Sequence, residues 1–120
     1  MSRAFTPMFE AALSAATAWA QGDETPRHGG LVQVSGEARL ELVAAADHAE
    51  IYIEDGGVAM PVANVSGKLT VIRGAARIEA KLEPAGDRLV AKGVKLARGQ
   101  KAIAVVTLSD KTASARFVIT

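Results

Sequence analysis

The feature that most constrains the fold of this chain is a strict alternation of apolar and charged residues that recurs after residue 30. Residues 38–42 read Ala-Arg-Leu-Glu-Leu, and the same alternation returns at 50–54 and 76–82. Successive side chains of a β-strand point to opposite faces of the sheet, so a period of two predicts strands with one buried and one solvated face. On this basis Glu41 is expected to be solvated. The inward residues are expected to include Leu42, Ile53, Ile78, Val105 and Phe117.

Turn-forming residues divide this part of the chain into seven or eight strands. Gly, Asp and Ser recur between the alternating runs at intervals of roughly 10–18 residues, which favours hairpins over βαβ units. Residues 56–67 form a longer connection that is expected to cross from one sheet to the other. The sequence therefore predicts an all-β fold, an immunoglobulin-like antiparallel β-sandwich of seven or eight strands. The expected strands are 31–35, 38–45, 48–55, 67–73, 76–83, 88–92, 101–109 and 112–119.

The composition limits the classes of protein to which the chain can belong. Its 120 residues allow one domain, and an apolar fraction of 49% is enough for a core, although only 4% of the residues are aromatic. The 14 Lys+Arg residues are scattered, nearly balanced by 13 Asp+Glu, and not interleaved with aromatic residues, so no nucleic acid partner is expected. The absence of cysteine excludes disulfides, thiolate zinc sites and thiol nucleophiles.

Residues 1–20 have the parts of a secretory signal peptide. Arg3 lies near the start, an apolar run occupies 11–20, and Ala18-Trp19-Ala20 offers the small residues of an A-x-A cleavage site. The apolar run is too short for a transmembrane span, which needs about 20 residues. The alternative is a short amphipathic helix that is retained on the domain. We expect export to the periplasm, with 1–20 as the signal peptide, 21–30 as a flexible leader and 31–120 as the sandwich domain.

The sequence contains no pattern that predicts catalysis. The run Val65-Ser66-Gly67 lacks the Gly-x-Ser-x-Gly motif of a nucleophile elbow. The acidic residues occupy turns or outward strand positions, where solvated charges are the ordinary interpretation. No glycine-rich loop leads into a helix, which argues against a phosphate site. We therefore expect a protein that is not an enzyme.

Two histidines are the candidate metal ligands. His28 lies in the leader, His48 lies in a hairpin turn beside Asp47, and Met60 lies in the long connection. Imidazole with a thioether suits copper, and imidazole with a carboxylate suits zinc or copper(II). The alternative is that His28 belongs to a mobile polar segment and that His48 is a solvated turn residue, because their separation matches no metal-ligand spacing.

Several runs resemble one type of small domain. They are His28-Gly29-Gly30, Leu40-Glu41-Leu42-Val43, Ile51-Tyr52-Ile53-Glu54-Asp55, Pro61-Val62, Ser66-Gly67-Lys68, Lys81-Leu82-Glu83-Pro84-Ala85-Gly86 with Leu89, and 111–117. Over about residues 28–118 the chain resembles small periplasmic β-sandwich proteins that accompany bacterial heavy-metal efflux systems. It is also similar to the N-terminal sandwich region of some periplasmic adaptor subunits of those systems.

The resemblance implies a periplasmic location, no enzyme activity and a link to copper or cobalt–zinc–cadmium export. It implies a metal role for His28 in particular. The sequence departs from the family pattern after Asp55, where Gly56 stands in place of a histidine, which argues against a metal ligand in that loop. Two functions remain open: an accessory module that docks on, or delivers metal to, an efflux assembly, and an interaction domain without metal whose edge strands pair with a partner chain.

Overall fold

The computed structural model describes residues 25–120, which form nine β-strands and no helix. The predicted signal peptide and the start of the leader lie outside the described residues. All eight predicted strands are present, and the additional strand is the two-residue β4. The strands are β1 Leu31–Ser35, β2 Ala38–Ala44, β3 His48–Asp55, β4 Val58–Ala59, β5 Ser66–Arg73, β6 Ala76–Ala85, β7 Arg88–Lys92, β8 Lys101–Thr107 and β9 Thr112–Val118.

The strands form one antiparallel sheet that curls until it nearly closes into a barrel. Its order is β1-β2-β3-β7-β6-β5-β8-β9, with β4 paired to β3 outside this path. All strand pairs are antiparallel, and the end strands β1 and β9 lie close to each other. The prediction of an all-β antiparallel fold is therefore confirmed.

A change of partner along β6 divides the sheet into two halves. Residues 76–82 of β6 pair with β5, whereas residues 83–85 pair with β7. The first half of the sheet consists of β1, β2, β3 and β7, and the second half consists of β6, β5, β8 and β9. The connection 56–65 leads from β3 in the first half of the sheet to β5 in the second half. Because both halves belong to one sheet, the expected crossing between the two sheets of a sandwich stays a prediction.

The core lies between the two halves and is made mostly of aliphatic residues; among residues 25–120, Phe117 supplies its one buried aromatic ring. Leu42, Ile53 and Phe117 are buried as predicted. Val105 is not, because Ala102, Ala104 and Val106 are the inward residues of β8 and are fully buried. Residues 102–106 are apolar throughout, so their hydropathy does not indicate which residues point inward.

The prediction for Ile78 is half right. Ile78 lies opposite the buried Val71 and so belongs to the inward face of the sheet. Its exposed fraction is nevertheless 37%, since among residues 25–120 β6 has a neighbouring strand on only one side at this point. Alternation in a sequence predicts which face a residue occupies, but it does not predict whether the core extends that far.

Candidate functional site

Glu41 is a buried carboxylate on the outer face of the first half of the sheet, and the prediction that it is solvated is wrong. Its exposed fraction is 0%, because residues 25–30, the covering segment, pass over it. Glu41 Oε1 accepts a hydrogen bond from the backbone N–H of Arg27 at 3.0 Å. Its Oε2 accepts from the N–H of His28 at 2.8 Å and from that of Gly30 at 2.9 Å. These three charge-assisted hydrogen bonds compensate for the hydration that the carboxylate loses on burial.

The covering segment can approach β2 because two glycines precede β1. A Cβ atom on Gly30 would lie 2.3 Å from the carbonyl oxygen of Leu42 and 2.9 Å from a methyl carbon of Val43, so only glycine fits there. Gly29 has a φ of +75°, in the left-handed region that glycine adopts without strain. The two glycines after His28 are therefore explained by the backbone path, which needs a left-handed residue and a close approach to β2.

Two arginines surround the same carboxylate and its neighbour Glu54. Arg39 Nη1 lies 3.9 Å from Glu41 Oε1 and 3.7 Å from Glu54 Oε2, and a further Arg39 nitrogen donates to the carbonyl oxygen of Thr25. Arg27 Nε donates to Glu54 Oε2 at 2.7 Å. Burial alone would raise the pKa of Glu41, but the three N–H donors, with Gly30 the strongest of them, outweigh it and hold that pKa below its usual value. Glu41 is thus held as a structural anion.

His28 and Tyr52 connect the covering segment to β3. Their rings are stacked with centroids 3.6 Å apart and an interplanar angle of 9°. The Tyr52 hydroxyl donates to Glu50 Oε1 at 3.3 Å. Arg88 on β7 contacts both Glu50 and Tyr52. Its Nε lies 3.1 Å from Glu50 Oε2, and its guanidinium carbon lies 5.9 Å from the Tyr52 ring centroid. The stack fixes the orientation of the imidazole on the surface of the sheet.

His48 lies between two carboxylates at the start of β3. Its Nδ1 is 2.9 Å from Asp47 Oδ1, and its Nε2 is 3.1 Å from Glu50 Oε2. The hydrogen bond with Asp47, and after it that with Glu50, raises the pKa of His48 above its usual value. The same hydrogen bonds lower the pKa of both carboxyl groups. Both ring nitrogens are therefore occupied, and the protonated form of the imidazole is favoured.

The two candidate metal ligands, His28 in the covering segment and His48 on β3, lie on the same outer side of the sheet but are not adjacent. A chain of contacts through Tyr52 and Glu50 separates the ring of His28 from that of His48. Met60, the third residue considered, packs against the core next to Ile53 and donates its N–H to the Ile53 carbonyl oxygen. Within residues 25–120 no group of three or more His, Asp or Glu residues is arranged to hold a metal ion. A metal role for His28 or His48 stays a prediction.

The second half of the sheet carries a different surface, which the sequence did not reveal. Five basic side chains point outward from its four strands and form the basic face. They are Lys68 on β5, Arg77 and Lys81 on β6, Lys101 on β8 and Arg116 on β9, and all are exposed. Strand register places them near one another, since Lys68 faces Lys81, and Ile72 faces both Arg77 and Lys101.

The basic face makes the charge of the chain strongly uneven. Five of the 14 Lys+Arg residues and two of the 13 Asp+Glu residues, Glu79 and Glu83, point from it. The face therefore carries +3 and the rest of the chain −2, which together give the net charge of +1. Half-buried Ile72, Ile103 and Val105 lie among the basic side chains. Because the five residues come from four strands, only the register of the sheet brings them together.

Comparison of the chain with protein-family models, with curated proteins and with solved structures finds no match. Residues 25–120 contain no helix that is long and apolar enough to cross a membrane.

Proposed function

We propose that this chain is a non-enzymatic binding module that docks on an acidic surface of a partner protein through its basic face. The observation that carries the proposal is the set of five exposed cations on the outward side of β5, β6, β8 and β9. Within residues 25–120, Lys68 is the one of the five that forms an ion pair, with its Nζ 3.5 Å from Glu79 Oε2. Charge concentrated on one surface steers encounter with an oppositely charged partner and fixes its orientation.

The apolar centre of the basic face supports a protein partner. Ile72, Ile103 and Val105 are only half buried, and the surrounding cations would form a polar rim around them. Protein interfaces have this arrangement of an apolar centre within a polar border. A nucleic acid partner would be expected to stack its bases on aromatic side chains, and the face has none.

The sequence supports a cellular location, a partner and a metal for this binding module. The signal-like residues 1–20 support a periplasmic location, and the resemblance to proteins of heavy-metal efflux systems supports a periplasmic efflux component as the partner, with copper or zinc as the metal. The change of partner along β6, which divides the sheet into two halves, supports an immunoglobulin-like sandwich as the finer description of the fold. In the alternative function, the chain is an interaction domain that has no metal role.

The test is salt-dependent binding of the chain to immobilised poly-L-glutamate as a model of an acidic protein surface. The double variant Lys101→Glu with Arg116→Glu should weaken binding by at least about tenfold, because two cations of the face become anions. The matched control is Lys92→Glu with Lys95→Glu, which changes the net charge equally at exposed positions outside the basic face. The control should weaken binding by no more than about threefold.

Two results would contradict the proposal. Equal losses in the two double variants would mean that binding follows net charge and not the basic face. Binding to vesicles with phosphatidylglycerol, or to duplex DNA, without binding to poly-L-glutamate would replace a protein partner with a lipid or a nucleic acid.

A further inference from the structure

The edge of β6 that faces away from β5 is open over residues 76–82 in the part of the chain that the structure describes. Within residues 25–120, this part of β6 pairs with β5 on one side, and β7 joins its other side only at Glu83–Ala85. The end strands β1 and β9, by contrast, lie next to each other. An open edge exposes backbone N–H and C=O groups that can pair with another strand.

The turn before β6 determines which backbone groups reach the open edge. Arg73 and Ala76 face each other across a two-residue turn whose first residue, Gly74, has a φ of +58°. Such a turn closes on a hydrogen-bonded pair, and hydrogen-bonded pairs alternate along antiparallel strands. The even-numbered residues of β6 therefore bond to β5. The N–H and C=O groups of Arg77, Glu79 and Lys81 point to the open edge.

We propose that two copies of the chain pair antiparallel through this edge, with their two-fold axis at Ile78. Hydrogen bonding requires odd-numbered residues to face odd-numbered residues, which restricts the axis to a whole residue position. An axis at Arg77 or at Glu79 would place a charge directly against the same charge of the second copy. An axis at Ala80 would place Arg77 of the second copy opposite Glu83, where β7 already occupies the edge because Glu83 pairs with Val90.

The remaining register, with the axis at Ile78, is complementary in charge and in size. Arg77 of each copy faces Glu79 of the other, so two opposite-charge pairs form on the outer side of the sheet. On the inner side Ile78 faces Ile78 of the second copy, and Ala76 faces Ala80. This contact would cover the side chain of Ile78, which is 37% exposed in the single chain.

The pairing does not rest on the proposed function, although it agrees with it. A two-fold axis perpendicular to the sheet places the basic faces of both copies on the same side. The second halves of the two copies would then form one continuous sheet. The contact involves only about five residues of each copy, so the dimer belongs to the small, transient class of interface.

Charge exchange tests the register directly. Sedimentation of the full chain over a concentration series should show a monomer–dimer equilibrium. Arg77→Glu or Glu79→Arg alone should weaken the dimer at least about tenfold, because like charges then face each other. An equimolar mixture of the two variants should dimerise again, since an Arg77→Glu copy opposite a Glu79→Arg copy regains both opposite-charge pairs. A wild-type chain that stays monomeric, or a mixture no more associated than its components, would overturn the proposal.

A cross-link provides a second measurement that does not depend on charge. The chain has no cysteine, so Ile78→Cys introduces a single thiol at the expected axis, in a non-hydrogen-bonded pair where side chains lie closest. Under mild oxidation by oxidised glutathione, each dimer loses two thiol hydrogens and forms one disulfide while the glutathione is reduced. The control is Val118→Cys at another exposed strand position. Equal rates of cross-linking in the two variants would contradict the register.

Discussion

The imidazole of His28 lies parallel to the phenol ring of Tyr52, with the ring centroids 3.6 Å apart. This stack, the amide donors on Glu41 and the two glycines after His28 hold the covering segment against the first half of the sheet. His28 and the glycines that follow it, which the sequence connects with a metal site, are therefore also explained by local packing.

Glu41→Gln should destabilise the chain by about 1–3 kcal/mol, because a neutral amide replaces a buried anion that accepts three backbone N–H bonds. Denaturant unfolding followed by circular dichroism measures the loss. The control is Glu79→Gln, whose side chain is 59% exposed and which should change stability by less than about 0.5 kcal/mol. Equal effects would mean that Glu41 is not held as described.

The same carboxylate should contribute to acid unfolding. The pKa of Glu41 is lowered in the folded chain, so its contribution is complete above the pKa of an unfolded glutamate, about 4.3. The contribution is lost as the pH falls through the lower folded value, because the unfolded chain binds the proton more tightly. Stability curves between about pH 2 and 6 should therefore be flatter in Glu41→Gln than in the unmodified chain.

His48 should remain protonated to a higher pH than a free histidine, which titrates near 6.5. Its hydrogen bonds to Asp47 and Glu50 raise its pKa, so the stabilisation is present below about pH 6.5 and is lost as the pH rises through the folded value. Titration of the ring proton signals by NMR measures this pKa. Asp47→Asn should lower it, and an unchanged value in that variant would contradict the assigned cause.

Ile53→Ala should cost about 2–5 kcal/mol of unfolding free energy, because the side chain is almost fully buried in the core. Val118→Ala removes an aliphatic side chain that is 55% exposed and should cost much less. Thermal or denaturant unfolding of both variants provides the comparison. Similar losses would show that the inward register of β3 is wrong.

Metal binding by His28 should be weak, in the micromolar range or poorer, which corresponds to about −8 kcal/mol or a less favourable value. Isothermal titration with Cu(II), Cu(I) and Zn(II) measures it, and acid should weaken binding because protons compete with the metal for the ligating imidazole. His28→Ala should abolish the heat and His48→Ala should change it less. Heat that is unchanged in His28→Ala would remove the metal role.

Export should produce a mature chain that begins at Gln21, because Ala18-Trp19-Ala20 fits a signal peptidase site. Intact mass and N-terminal sequencing of the protein from cell envelope and cytosolic fractions measure this. An uncleaved chain in the cytosol would contradict export and favour the retained amphipathic helix.

The strands could be predicted from the sequence because period-two hydropathy and turn residues are local signals. Ala38–Ala44 and His48–Asp55 alternate clearly and were placed almost to the residue. Val105 was misplaced because β8 is apolar on both faces, and hydropathy then contains no information on orientation.

The candidate surfaces could not be predicted in the same way, because they depend on which strands become neighbours. The buried state of Glu41 results from amide donors that lie 11 to 14 residues away in the sequence. The basic face joins Lys68 to Arg116 through the order of the strands. The alternation at 76–82 places Arg77 and Lys81 outward, as observed, but the sequence alone does not specify the register that brings the five basic residues together.

The three amides that bind Glu41 also bear on the choice of domain boundary for expression. A shortened chain that begins at β1 would lose the donors from Arg27, His28 and Gly30 and would expose to water a carboxylate now sealed beneath the backbone. The minimal autonomous folding unit therefore extends upstream of the first strand. Purification tags and fusion partners belong before residue 25, where they leave the hydrogen bonds to Glu41 in place.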